Sequence, residues 1–205
     1  MGRTVVIDYG VGNLFSVEKA LAFVGAEPLV TSEEKEIMAA ERILLPGVGA
    51  FGDCMNNLLA SGLIPAIKQK IADGTPLLGI CVGLQILFEG SEESPGVPGL
   101  GILPGMVRRI KAEGLKIPHI GWNSLRINEP RQRLDLFRDT GENPFVYFVH
   151  SYHAVPADSN IVTASTVYGE RLTAAVARGN VQATQFHPEK SGDVGLKLLA
   201  NFVKG

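Results

Sequence analysis

"PLLGICVGLQILFE", residues 76–89, places one of the chain's two cysteines between two glycines, directly after a short apolar run. From Thr75 to Ile80 that run has the unbroken hydrophobicity of a strand buried on both faces. From about residue 82 to 89 the apolar positions recur at helical spacing. Gly79 and Gly83 mark a sharp turn between the two. A buried strand that turns abruptly into a helix is the repeating unit of a parallel α/β sheet, so the neighbouring sequence is expected to alternate in the same way.

Upstream it does. "RTVVIDY" (3–9) is a continuous β-branched run broken by Gly10 and Gly12, and Leu14, Val17, Leu21 and Val24 then repeat as in a helix. Asn13 or Ser16 is expected to cap that helix and Gly25 to end it. "EPLV" (27–30) reads as a second strand, "SEEKEIMAA" (32–40) as a short helix and "RILLPG" (42–47) as a third strand. Residues 50–73 read as helix with a break near Gly62 and Pro65.

Downstream, between 99 and 186, the pattern changes to closely spaced strand candidates: "GILPGMVRRI", "PHIGWNSLRI", "FVYFVH", "NIVTASTV", "LTAAVARG" and "VQATQF". These are expected to be mostly antiparallel or mixed. An amphipathic helix carrying Val194, Leu198, Leu199 and Phe202 follows. The predicted fold is a three-layer α/β sandwich: a central, mostly parallel sheet with antiparallel or mixed strands in the C-terminal half.

At 205 residues and 45% hydrophobic, the chain is expected to form one domain, 1–205, around a sizeable core. Net charge is −2, and basic residues gather only in small groups such as Arg108, Arg109 and Lys111, or Arg131 and Arg133, a poor footprint for nucleic acid. No apolar run approaches the ~20 residues of a membrane span, and the N-terminus opens into a strand-like run, so a cytoplasmic, soluble protein is expected. Cys54 and Cys81 are too few for a disulfide framework, and neither has a second Cys or His within four residues. Both are expected to be free thiols; no metal or cofactor is implied.

Gly79, Cys81 and Gly83 reproduce the spacing of a nucleophile elbow with Cys in place of Ser. The sharp turn leaves no room for β-carbons beside the nucleophile and lifts its side chain over the sheet edge, where ligands of α/β folds bind. Amides at the start of the following helix favour a thiolate and offer a donor to an oxyanion. The competing reading is a buried core cysteine. A nucleophilic thiol needs a base, and the chain has four histidines, His119, His150, His153 and His187. His187 stands out because it follows a strand-like run in "QFHPEKS" and has Glu189 two residues on, able to fix its tautomer and stabilise the imidazolium.

The elbow followed by Gln85, together with the distant His-Pro-Glu, resembles the class I (triad) glutamine amidotransferases, whose glutaminase domains release ammonia from glutamine. Within them, "DYGVGNL" (8–14), "LPGVGAFGD" (45–53), "GICVGLQILFEGSEE" (79–93), "IPHIGWN" (117–123), "VHSYH" (149–153) and "QFHPEKS" (185–191) are similar to the glutaminase subunits of imidazole glycerol phosphate synthase. The resemblance implies Cys81 as nucleophile, His187 as general base and then acid, and Glu189 as its orienter. It implies that Gln85 and the main chain at Ser151 and Tyr152 hold the substrate, with Glu93 as a candidate for its ammonium. The oxyanion donors would be Val82 N–H and the Val48–Gly49 segment of the Pro46–Gly49 loop, where Gly47 and Gly49 would let a peptide turn over.

The ammonia needs an acceptor, and a separate synthase polypeptide is therefore expected. By resemblance it is a (β/α)8-barrel cyclase subunit forming a heterodimer, acting on a phosphoribosyl-formimino carboxamide ribotide in histidine biosynthesis. Asn13, Trp122 and Lys190 would lie near the subunit interface. A glutaminase serving another synthase, for anthranilate, pyridoxal phosphate or GMP, and a non-catalytic module on the same fold are the alternatives.

Overall fold

A computed structural model describes residues 3–128 and 136–205; Arg131 and Arg133 lie outside the described residues. The first half alternates strand and helix: β1 (Thr4–Ile7), α1 (Leu14–Phe23), β2 (Pro28–Thr31), α2 (Glu34–Met38), β3 (Arg42–Gly47), α3 (Phe51–Ala60), α4 (Ile64–Ala72), β4 (Leu77–Cys81) and α5 (Val82–Gln85). The second half adds β5 (Gly90–Ser91), β6 (Gly105–Arg109), β7 (His119–Ser124), β8 (Arg126–Ile127), β9 (Phe145–His150), β10 (Tyr152–Pro156), β11 (Val162–Tyr168), β12 (Glu170–Arg178), β13 (Val181–Thr184) and α6 (Gly192–Lys204).

The main sheet runs β2-β1-β3-β4-β13-β12-β11-β8. Its first five strands pair in parallel and the rest antiparallel. Every residue of β1, β4 and β13 is buried, which a strand achieves only when both faces of its sheet are covered. Helix α1 packs on α6, and α2 on α4. Two smaller sheets, β10-β6-β5 and β7-β9, are not hydrogen-bonded into the main one but pack against it through β12 and β11. Among the described residues no helix is long and apolar enough to cross a membrane.

Several elements depart from the sequence expectations for identifiable reasons. The helix expected over 82–89 stops at Gln85, because the carbonyls of Ile86, Leu87 and Phe88 accept hydrogen bonds from the main chain of 100–103 instead of from the next helical turn. Strand β10, not singled out in the sequence, forms through its antiparallel pairing with β6. Asn13 occupies the N-cap of α1 but its side chain makes no capping bond. The break expected near Gly62 and Pro65 does fall there, between α3 and α4, and Pro65 sits in the first turn of α4, where a missing N–H costs nothing.

Candidate active site

The carboxyl ends of β3, β4 and β13 lie side by side. Parallel register sets Gly47 opposite Cys81 and Ile80 opposite Thr184. Cys81 ends β4 at φ 56°, ψ −112°, a conformation a residue with a β-carbon adopts only when its surroundings impose it. The flanking glycines impose it by close packing. A β-carbon on Gly83 would fall 1.9 Å from the Leu45 carbonyl oxygen, and one on Gly79 would fall 2.8 Å from that of Gly83. Gly83→Ala is therefore expected to lower stability by on the order of 3 kcal/mol, as overpacking against an immovable strand does. Denaturant unfolding checks this; a loss within 0.5 kcal/mol, about the scatter of an ordinary surface change, would show that β3 yields.

His187 follows β13 and is fixed through its main chain. Its N–H donates to the Tyr147 carbonyl at 3.0 Å, and its carbonyl accepts from Ser191 Oγ at 2.6 Å. Its Nδ1 lies 2.7 Å from Glu189 Oε1, and both side chains are buried, 2% and 1% exposed. With Nδ1 thus occupied, Nε2 is left without a well-formed hydrogen bond and faces the cavity that Cys81 lines. Burial disfavours the imidazolium, but the Cys81 sulfur and then the Glu189 carboxylate outweigh burial and push the His187 pKa up to about 10. The other three histidines go the opposite way. Burial lowers His119 to about 4 and His150 to about 3, and it lowers His153 as well. Of the four, only His187 has surroundings that favour taking a proton from a thiol.

A cavity of about 400 Å³ brings together most of the residues singled out in the sequence: Val48 and Gly49 after β3, Cys81, Val82 and Gln85 on the elbow, Glu93, Ser151, Tyr152, His187 and Lys190. Glu189 stands behind His187. Asn13 and Trp122 do not line it. Asn13 is half-buried in the loop after β1, next to Gly12, where an added β-carbon would lie 3.5 Å from Pro46, and Trp122 is 55% exposed on β7.

Four expected ligand-holding residues are partly occupied by the protein. The Gln85 amide nitrogen donates to the Tyr152 carbonyl at 3.2 Å and to Gln185 Oε1 at 3.1 Å, which leaves only its carbonyl oxygen to meet a ligand. The Tyr152 carbonyl also accepts from His150 Nδ1 at 2.8 Å, and the Ser151 carbonyl from Ile110 N–H at 3.0 Å. Glu93 Oε2 accepts from Phe51 N–H at 2.8 Å and so satisfies the first turn of α3, whose own N-cap, Ala50, has no polar side chain.

The Pro46–Gly49 loop is held from beneath. Tyr9 Oη donates to the Pro46 carbonyl at 2.6 Å and Cys54 Sγ to the Val48 carbonyl at 3.3 Å. Burial pushes the Cys54 thiol up to about 11, so it remains a donor. Gly49 follows at φ 87°, a value open to glycine at little cost.

Two residues absent from the sequence reading of the site belong to it. His150 lines the cavity, and Gln185 contacts both Gln85 and Cys81. Gln185 lies inside "QFHPEKS", but only the pairing of β13 with β4 reveals that it faces the sulfur.

A glutamine amidotransferase class-I family model matches residues 5–205. The imidazole glycerol phosphate synthase subunit HisH of Synechocystis sp. is 51% identical over 206 residues, covering 100% of this chain and 97% of that protein. The HisH subunit of Moorella thermoacetica is 50% identical over 98% of this chain and 94% of its own length. Among solved structures, PurLQS from Thermotoga maritima superimposes with a TM-score of 0.75 at 22% identity, covering 100% of this chain and 99% of that one. The glutaminase domain of Trypanosoma brucei CTPS with bound acivicin gives 0.67 at 16%, covering 100% and 94%. The structural likenesses establish the fold, and the sequence matches establish descent along its whole length: the chain belongs to the class-I glutamine amidotransferase family and, within it, to the HisH subunits of imidazole glycerol phosphate synthase.

Proposed function

We propose that residues 1–205 act as one glutaminase domain that hydrolyses glutamine to glutamate and ammonia with Cys81 as nucleophile. The observation that carries this is the meeting, in one cavity, of a thiol on a glycine-packed elbow with an imidazole whose far nitrogen is held by a buried carboxylate. His187 takes the thiol proton through Nε2, and the thiolate attacks the side-chain amide carbon of glutamine. Val82 N–H and the Val48–Gly49 segment stabilise the oxyanion of the tetrahedral intermediate. His187 returns the proton to the leaving nitrogen, ammonia departs and a thioester remains. Water, deprotonated by His187, then splits the thioester to glutamate and restores the thiol. The carbonyl of Gln85 and the free oxygen of Glu93 hold the substrate's polar end.

Ammonia released into neutral water is protonated and lost as a nucleophile, so it passes under cover to a (β/α)8-barrel cyclase subunit in a cytoplasmic heterodimer. There it contributes to imidazole glycerol phosphate and aminoimidazole carboxamide ribotide in histidine biosynthesis. The surface beside the cavity suits such a partner. Antiparallel register places Ile120, Trp122 and Phe145 along one face of β7–β9, 59%, 55% and 57% exposed, with Lys190 at the cavity rim and Asn13 on the loop against Pro46.

The test is glutamate release by the chain alone and with the cyclase subunit plus the ribotide acceptor; no glutamine-dependent release under any condition refutes the reading. Trp122→Ala is expected to weaken cyclase binding about tenfold or more, as loss of a central aromatic does, with Cys81 still alkylated at the wild-type rate. Titration calorimetry giving wild-type affinity would remove Trp122 from the interface.

A further inference from the structure

The register of β13 on β4 has a chemical result beyond aligning the two strands. Thr184 pairs with Ile80, so the next residue, Gln185, comes level with Cys81 at the neighbouring strand end. Its side chain is fully buried. Oε1 accepts from Gln85 Nε2 at 3.1 Å, and Nε2 donates to Cys81 Sγ at 3.8 Å. Both ends of this amide are thus assigned. Turned by 180°, it would set two NH2 groups against each other at Gln85 and a carbonyl oxygen against the sulfur. Gln85 cannot turn to accommodate that, because the same nitrogen is also held by the Tyr152 carbonyl at 3.2 Å.

We propose that Gln185 is a further catalytic residue, donating a hydrogen bond to the Cys81 sulfur that stabilises the thiolate, with Gln85 as the positioning residue that keeps the donor aimed. The inference rests on the reading of Cys81 as nucleophile. A neutral thiol is a poor acceptor, which suits the long contact; a thiolate is a strong one, so this bond gains most when the proton has left. The other titratable groups around the sulfur are His187, backed by Glu189, and Tyr9 and Cys54 beneath the elbow. Of these, His187 carries a proton that leaves the site during the reaction. Gln185 does not titrate, so its contribution persists whichever way the His187 proton moves.

The test follows carboxamidomethylation of Cys81 by iodoacetamide against pH in the full chain, read from the mass of the peptide holding Cys81. Gln185→Met removes the donor at similar volume. Gln185→Glu keeps the acceptor for Gln85 and sets oxygen in place of the NH2 group. The alkylation midpoint is expected to rise by about one pH unit in the Met variant, as loss of a hydrogen bond to the charged form requires, and further in the Glu variant. Below the midpoint the rate falls about tenfold with the first shift. A merely structural role would leave the midpoint where it is. Wild-type protein gives a readout that needs no substitution: the Gln185 side-chain amide, followed by NMR, moves with the same midpoint as the alkylation. Unchanged midpoints in the folded variants, or an amide indifferent to that titration, overturn the proposal. These outcomes report on the sulfur whatever the substrate, whereas wild-type protein that releases no glutamate overturns the glutaminase reading itself.

Discussion

Cys81→Ala is expected to lower kcat for glutamine hydrolysis by on the order of 10⁴-fold or more, the scale on which loss of a covalent nucleophile acts. The residue is 4% exposed and its backbone is held at φ 56° by packing that involves Gly83, Leu45 and Gly47 and not by its own sulfur. Alanine fits that conformation no worse than cysteine, so the elbow keeps its shape and the thermal midpoint moves little. The cyclase subunit supplied with ammonium salt in place of glutamine should still turn over in complex with the variant. That separates loss of the nucleophile from loss of the assembly. Glutamate release above about one hundredth of wild type, beyond the residual catalysis expected from binding and oxyanion donors alone, would mean another group attacks the amide.

Glu189→Gln is expected to cost about 10² to 10⁴ in kcat, following the logic by which an orienting carboxylate fixes its histidine. Glu189 accepts from Nδ1 and so leaves Nε2 free to take the thiol proton. A glutamine there can donate to Nδ1 instead, which puts the hydrogen on Nε2 and presents Cys81 with a donor where it needs a base. The same substitution has a signature in stability. His187 is raised in the folded state, so it holds a proton there that the unfolded chain has already lost. Its stabilising contribution is complete below the unfolded value near 6.5 and disappears as pH rises through about 10. Stability of the wild type should therefore decline across that window, and the Gln variant should decline less. Denaturant midpoints measured from pH 6 to 10 decide it; parallel curves would show that Glu189 does not hold the imidazolium.

Much of this site was legible because its chemistry depends on local spacing. Gly79, Cys81 and Gly83 declare a turn without β-carbons, and the packing distances around Gly83 and Gly79 show why only glycine fits. The HxE of His187 and Glu189 spans only three residues, and a short turn, Pro188–Lys190, is enough to bring carboxylate and ring together. The contacts that the sequence does not reveal are those whose partners lie far away in the chain. Glu93 reads as a candidate partner for the substrate's ammonium, yet one of its oxygens caps α3, 42 residues upstream. Gln85 reads as a free substrate ligand, yet its nitrogen is held from 67 and 100 residues away.

Local periodicity and composition by themselves determined the alternation of buried strands and helices, the parallel sheet it implies, the elbow and the closeness of His187 to Glu189. Those features follow from the steric and hydrophobic demands of residues a few positions apart. Only the tertiary structure decided which distant strands are neighbours, where α5 ends and which histidine has surroundings that favour its protonated form. Pairing β13 with β4 sets Gln185 beside Cys81, the 100–103 segment takes the carbonyls that would have extended the helix, and burial drives His119 and His150 one way while two close partners drive His187 the other. Register and burial are properties of the assembled fold, since hydrogen bonds and desolvation act between surfaces that meet only once the chain has closed.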